Sequence, residues 1–163
     1  MSNSGRNKKK INFNEPIPAM IERLKREHRS FESKLEEVEY SVNKNNDTLY
    51  AAQIIRNMTE SVIHHAVEEE ARLMRVIMQK AKQESSESIK IMQEHNWVTN
   101  FLKNRLTGIE KTVKFDSETQ PQQQHGEEQT KKELIEFVTN LREHFLEEEQ
   151  IVFPLALKAN LLQ

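Results

Sequence analysis

Cysteine is absent from the 163 residues, which excludes disulfides, thiolate metal sites, iron–sulfur clusters and cysteine nucleophiles. With only 3 glycines and 4 prolines, the chain is too poor in turn formers for an all-β fold. No apolar run approaches about 18 residues, so no membrane span is expected. The N-terminus has no apolar leader core, and the expected location is cytoplasmic. Neither sign of charge dominates: 24 basic against 26 acidic side chains leave −2, which does not suggest a nucleic-acid binder. What is abundant is mixed charge. Charged residues make up 31%, hydrophobic residues 36%, and mean hydropathy is −0.81. That balance suits long amphipathic helices around one sizeable core. Six histidines stand out.

Residues 1–14 are rich in Ser, Asn and Lys and read as a disordered tail; Lys8, Lys9 and Lys10 there are most simply solubilising. Residues 15–163 read as one bundle domain. Pro16 and Pro18 suit a helix start. Ile21, Leu24, His28, Phe31, Leu35, Val38 and Val42 then recur at spacings of three and four. Asp47 is a fitting N-cap for a second helix with Ile55, Met58, Val62, His65, Glu69, Leu73 and Val76 on its seam. A third carries Ile91, His95, Val98, Leu102 and Leu106; Gly108 weakens its last turns. The stretch 116–126, Gln-rich and containing Pro121, reads as a loop. A fourth helix carries Leu134, Phe137, Leu141, His144, Glu148, Val152 and Leu155, with Pro154 expected to kink or shorten it. The fold class is therefore all-α, an antiparallel up-down-up-down four-helix bundle.

His28, His65, His95 and His144 occupy seam positions where leucine would serve, as do Glu69 and Glu148. An unpaired buried carboxylate costs several kcal/mol or shifts its pKa, and metal ions remove that cost. His65 and Glu69 are four apart and share one helix face; His144 and Glu148 repeat the arrangement. A shift of 79 superimposes helix 2 on helix 4, taking Met58 to Phe137, Val62 to Leu141 and Leu73 to Val152. A shift of 67 takes Glu27-His28 to Glu94-His95. Two related hairpins thus each supply one His and one His-x-x-x-Glu pair. Four imidazoles and two carboxylates suit two borderline ions, with two imidazoles each and carboxylates able to bridge. Iron, manganese or zinc fits such donors, and the lack of thiolate argues against copper(I).

The ordered set His28, His65-x-x-x-Glu69, His95 and His144-x-x-x-Glu148, closed by Phe153-Pro154, resembles the hemerythrin-like HHE cation-binding family over about residues 16–157. The resemblance implies a four-helix bundle holding two irons with an oxo or hydroxo bridge. It makes the four histidines terminal ligands and Glu69 and Glu148 bridges. It implies binding of dioxygen or nitric oxide, sensing, iron-centre repair, peroxide decomposition or iron handling. The chain departs from the oxygen-carrier branch, which has a fifth histidine where Thr99 stands and an aspartate bridge where Glu149 stands. Fewer histidines leave more open positions at the metal, which favours redox chemistry, nitric oxide binding or sensing over oxygen transport.

The leading expectation is a di-iron protein that binds a small redox ligand, with a separate protein partner if it is a sensor. A di-iron enzyme or iron donor, and a metal-stabilised structural module, are the alternatives; enzymatic activity is left open. The chain is expected to be a monomer or a weak homo-oligomer. Glu68, Glu70, Glu147 and Glu149 read mostly as a solvated charged face, His64 with Glu68 as a competing pair at the rim, and His125 as a bystander. Met74 and Met78 read as packing and Trp97 as a boundary residue.

Overall fold

Apolar spacings of three and four become four helical rods in the computed structural model, which describes residues 10–118 and 124–162, with side chains at 10–115 and 127–162. Helix α1 is Ile17–Asn43; Pro16 caps it and a proline stands in its first turn, where the missing N–H costs nothing. Asn46 adopts φ 50°, a left-handed conformation that asparagine tolerates, and turns the chain into α2. The Asp47 carboxylate accepts the Tyr50 N–H at 3.0 Å, as an N-cap should.

Helix α2 runs from Thr48–Glu68 through a π turn, Glu69–Met74, into Arg75–Lys80. Helix α3 runs from Ser85–Asn100 through a second π turn, Phe101–Arg105, into Leu106–Glu118. Helix α4 runs from Gln124–Glu147 through a third, Glu148–Val152, into Phe153–Asn160. Short connections make sequential neighbours antiparallel; α1 packs on α2 and α4, and α2 also on α3. Among the described residues there is no strand, and no helix is long and apolar enough to cross a membrane.

Three sequence expectations meet different outcomes. Pro154 does not end α4, because the π turn just before it rearranges the backbone bonding and the helix continues to Asn160. Helical backbone reaches Glu118 and resumes at Gln124, inside the stretch read as a loop; 119–123, with Pro121, lie outside the described residues. Residues 1–9 of the tail, with Lys8 and Lys9, also lie outside them, while Arg72 donates to the carbonyls of Asn12 at 2.9 Å and Glu15 at 2.7 Å.

The bundle interior is two apolar clusters with a polar band between them. One cluster holds Phe31, Leu35, Val62, Val98, Leu102 and Leu141 among others. The other holds Met20, Leu24, Leu73, Ile91, Val152 and Phe153 among others. On every helix the seam histidine falls between a residue of the first cluster and one of the second: Leu24 and Phe31 flank His28, and Ile91 and Val98 flank His95. The apolar residues on both sides deny that band its water.

Candidate metal centre

The six seam residues meet in this band. His28, His65, His95 and His144 are 2–4% exposed, and Glu69 and Glu148 are fully buried. Without compensation, two buried carboxylates would cost several kcal/mol each. The Glu148 carboxylate is shared between two pairs of rings. Its Oε1 lies 3.1 Å from His28 Nε2 and 3.9 Å from His65 Nε2. Its Oε2 lies 3.3 Å from His95 Nε2 and 3.4 Å from His144 Nε2. Glu69 Oε1 reaches across both pairs as well, 2.9 Å from His65 Nε2 and 3.7 Å from His95 Nε2. His28 Nε2 and His65 Nε2 face each other at 3.0 Å.

Two groups of donor atoms each fit within 4.8 Å: His28, His65, Glu69 and Glu148, and His95, His144 and Glu148. Neither oxygen of Glu69 has a hydrogen bond, although both are buried. A buried carboxylate with no well-formed hydrogen bond, its oxygen and the imidazole nitrogens crowded toward one space, is the arrangement expected of groups that could converge on cations. The donor set therefore fits metal ions.

Charges in the metal-free band are strongly perturbed. Burial pushes the Glu69 carboxyl up to about 8, and the neighbouring Glu148 charge adds to the rise. Burial would raise Glu148 too, but His144 above all, with Glu69 and His28, outweighs it and holds this carboxyl well below its usual range. Burial pulls His95 and His144 down, yet their carboxylate neighbours win and raise them to about 9 and about 10. His65 is likewise raised, against burial, by Glu69, Glu148 and Glu27. At His65, His95 and His144 a cation would therefore compete with a proton.

A second ring of carboxylates surrounds the first, a feature the sequence reading missed. His65 Nδ1 lies 3.2 Å from Glu27, and His95 Nδ1 lies 3.1 Å from Glu70. His28 Nδ1 is 3.5 Å from Glu149 and His144 Nδ1 is 3.8 Å from Glu94; those two nitrogens have no hydrogen bond. Each carboxylate reaches a ring on a different helix. The repeat shifts of 67 and 79 carry Glu27 to Glu94 and Glu70 to Glu149, so the outer ring repeats with the inner one. An outer acceptor holds the Nδ1 proton and leaves Nε2 free as a ligand. The signal was present in the repeated Glu-His and Glu-Glu dipeptides.

The expected solvated face is accordingly corrected. Glu70 and Glu149 face buried histidine rings, Glu68 is buried against Arg23 and His64, and Glu147 pairs with Lys90. Charges this close to a buried band find partners rather than water. His64 binds Glu68 at 2.8 Å and stays outside both donor groups. Arg23 ties Glu27 at 2.7 Å and Glu15 at 2.9 Å, closing the α1–α2 side. The His125 side chain lies outside the described residues. Met74 is buried, but Met78 is largely exposed. Trp97 is 44% exposed, with its ring over Phe101 and Phe137.

Two openings adjoin the band. A cavity of about 10 Å³ is bounded by His65, Glu69, His95 and His144, with Val62, Ala66, Val98, Leu141 and Phe145 as apolar walls. That is about the room one water needs. A wider recess of about 420 Å³, lined by Lys90, Glu94, Trp97 and Glu147, reaches the outer side of His144.

Compared with known families, residues 19–156 match the family model described as Hemerythrin HHE cation binding domain. No curated protein and no solved structure matches the chain.

Proposed function

Because the chain belongs to the hemerythrin HHE cation-binding domain family, we propose that it is a non-haem di-iron protein that binds a small redox ligand such as dioxygen, nitric oxide or peroxide. His28 and His65 would hold one iron and His95 and His144 the other, with Glu69 and Glu148 shared. The observation that carries this reading is the division of Glu148, one oxygen toward each pair of rings. A carboxylate placed so is suited to bridge two ions. Imidazole with carboxylate suits iron, manganese or zinc; iron is preferred here because the family resemblance points to it.

Bound iron would supply electrons and an open coordination place to the ligand. The chain's own residues do the rest. Glu27 and Glu70 fix the ring tautomers. Val62, Val98 and Leu141 keep bulk water from the cavity beside the rings. Sensing, scavenging or iron and redox homeostasis, in the cytoplasm and through a separate protein partner where a signal is passed on, is the role that follows; turnover of peroxide or iron donation is the enzymatic counterpart.

The test is metal content together with the absorption spectrum of an anaerobically reduced sample, before and after air. About two irons per chain with near-ultraviolet bands appearing on oxidation is the expected result. A single zinc, or no spectral change after iron reconstitution, would overturn the reading.

A further inference from the structure

We propose that the recess between α3 and α4, outside the polar band, binds a guanidinium cation, held by Glu94 and Glu147 against the face of Trp97. Neither Glu69 nor Glu148 borders this recess, so the site stands whichever metal the band holds.

The internal repeat shows what the recess lacks. On α1 and α2, Arg23 joins two carboxylates: it donates to Glu27 Oε2 at 2.7 Å and to both oxygens of Glu68. The other Glu27 oxygen lies 3.2 Å from His65 Nδ1. The shift of 67 takes Arg23 to Lys90 and Glu27 to Glu94. The shift of 79 takes His65 to His144 and Glu68 to Glu147. Both carboxylates are kept and the guanidinium is lost. Lys90, a point charge where Arg23 is a fork, pairs with Glu147. Glu94 Oε2, the counterpart of the oxygen that accepts from Arg23, is buried without a hydrogen bond. His144, 4% exposed, lines the recess, and its Nδ1 also has no hydrogen bond, 3.8 Å from Glu94 Oε1. Two buried polar atoms without partners on the wall of one opening mark a place for an outside group.

The other differences between the hairpins favour a flat cation. His64, which binds Glu68, becomes Glu143, and Ser30 becomes Trp97. The recess thus carries three carboxylates against one ammonium, with a part-exposed indole at its side. Carboxylates accept the paired N–H donors of a guanidinium, and an indole face stacks on its plane. The volume of about 420 Å³ lies within the roughly 300–1,000 Å³ of small-ligand sites. A cation on Glu94 Oε2 would hold the other oxygen toward His144 Nδ1, as Arg23 holds Glu27 toward His65. A free small molecule and an arginine side chain of another protein offer this same group.

The experiment titrates the metal-loaded full chain with agmatine, with N-acetylarginine amide and with its neutral citrulline analogue. Heat is read together with the emission of Trp97, the single tryptophan of the chain. Saturable binding of a guanidinium compound with a matching Trp97 response is expected, and none of the citrulline compound. Tighter binding of agmatine points to a free small molecule, and tighter binding of the capped arginine to a protein side chain. The Lys90 side chain is 59% exposed, so its variants keep the fold. Lys90→Arg restores on α3 what Arg23 supplies on α1 and should lower the affinity about tenfold or more. Lys90→Ala removes a competing ammonium and should raise it. No binding of either guanidinium compound, equal binding of the citrulline compound, or heat without a Trp97 response overturns the site. So does an affinity that Lys90→Arg leaves unchanged. Iron content is measured on the same samples: a chain that binds the cation but lacks two irons fails the di-iron reading and leaves this one standing.

Discussion

Glu148 divides its two oxygens between opposite pairs of imidazoles, whereas Glu69 approaches both pairs through one oxygen. Glu148→Ala should lower iron from about two per chain to one or none while far-ultraviolet circular dichroism keeps its helical signal. Full occupancy in that variant would contradict the bridging role. The outer carboxylates act one bond further away. Glu27→Gln and Glu70→Gln keep shape and volume but weaken the acceptor for Nδ1, and metal affinity should drop about ten- to a hundredfold. Competition against a chelator measures this, with the exposed Glu60→Gln as control. Affinities unchanged from that control would make the 3.2 Å and 3.1 Å contacts incidental.

At the scale of the helix, each His-x-x-x-Glu pair ends on a π turn. Buried residues recur at strict intervals of four: His65, Glu69, Leu73 and Ile77 on α2, and His144, Glu148, Val152 and Ala156 on α4. In a regular helix of 3.6 residues per turn, each such step overshoots the face by about 40°, so three steps would carry the last residue out of the core. The wider π turns at Glu69–Met74 and Glu148–Val152 absorb the drift and keep all four inside. The same device lets α4 pass Pro154. Helix ends follow simpler rules. Asp47→Ala removes the acceptor for the Tyr50 N–H and should cost about 1 kcal/mol, read from urea unfolding at fixed metal content. A change near zero would mean that water replaces the cap.

For the whole molecule, the polar band makes metal and pH act on one equilibrium. In the metal-free chain His95 and His144 are raised from 6.5 to about 9 and about 10. A raised histidine stabilises the fold fully below 6.5 and loses that contribution as pH rises through the folded value. Glu69, raised from 4.5 to about 8, favours its protonated form in the fold and works in the same direction. Glu148 is depressed, so its contribution is present above 4.5 and is lost only as pH falls through its low folded value. The Tm of metal-free protein should therefore fall between pH 6.5 and about 10. Metal must displace these protons, so affinity should rise over the same interval and the Tm gap between loaded and metal-free protein should widen. A metal-free Tm that is flat across this window would contradict the raised values.

The bundle was legible because spacings of three and four mark buried helix faces whatever lies opposite. The candidate donors were legible because histidine and glutamate at leucine positions have no apolar explanation, and because Glu69 and Glu148 recur at one shift. The π turns were written in the intervals of four but are invisible to a search for ordinary helical periodicity. Glu70 and Glu149 looked like solvated charge, and Glu27 and Glu94 marked only the repeat, since a sequence does not tell which helix a side chain will face across the bundle. Only packing brings Glu27 to His65 and Glu70 to His95. Only packing, too, sets Phe145 against His28. The sequence by itself determined the helices, their buried faces and the donor types, which are local properties. The tertiary structure decided which donors come together and which carboxylate faces which ring, because each depends on distances between helices that no single helix contains.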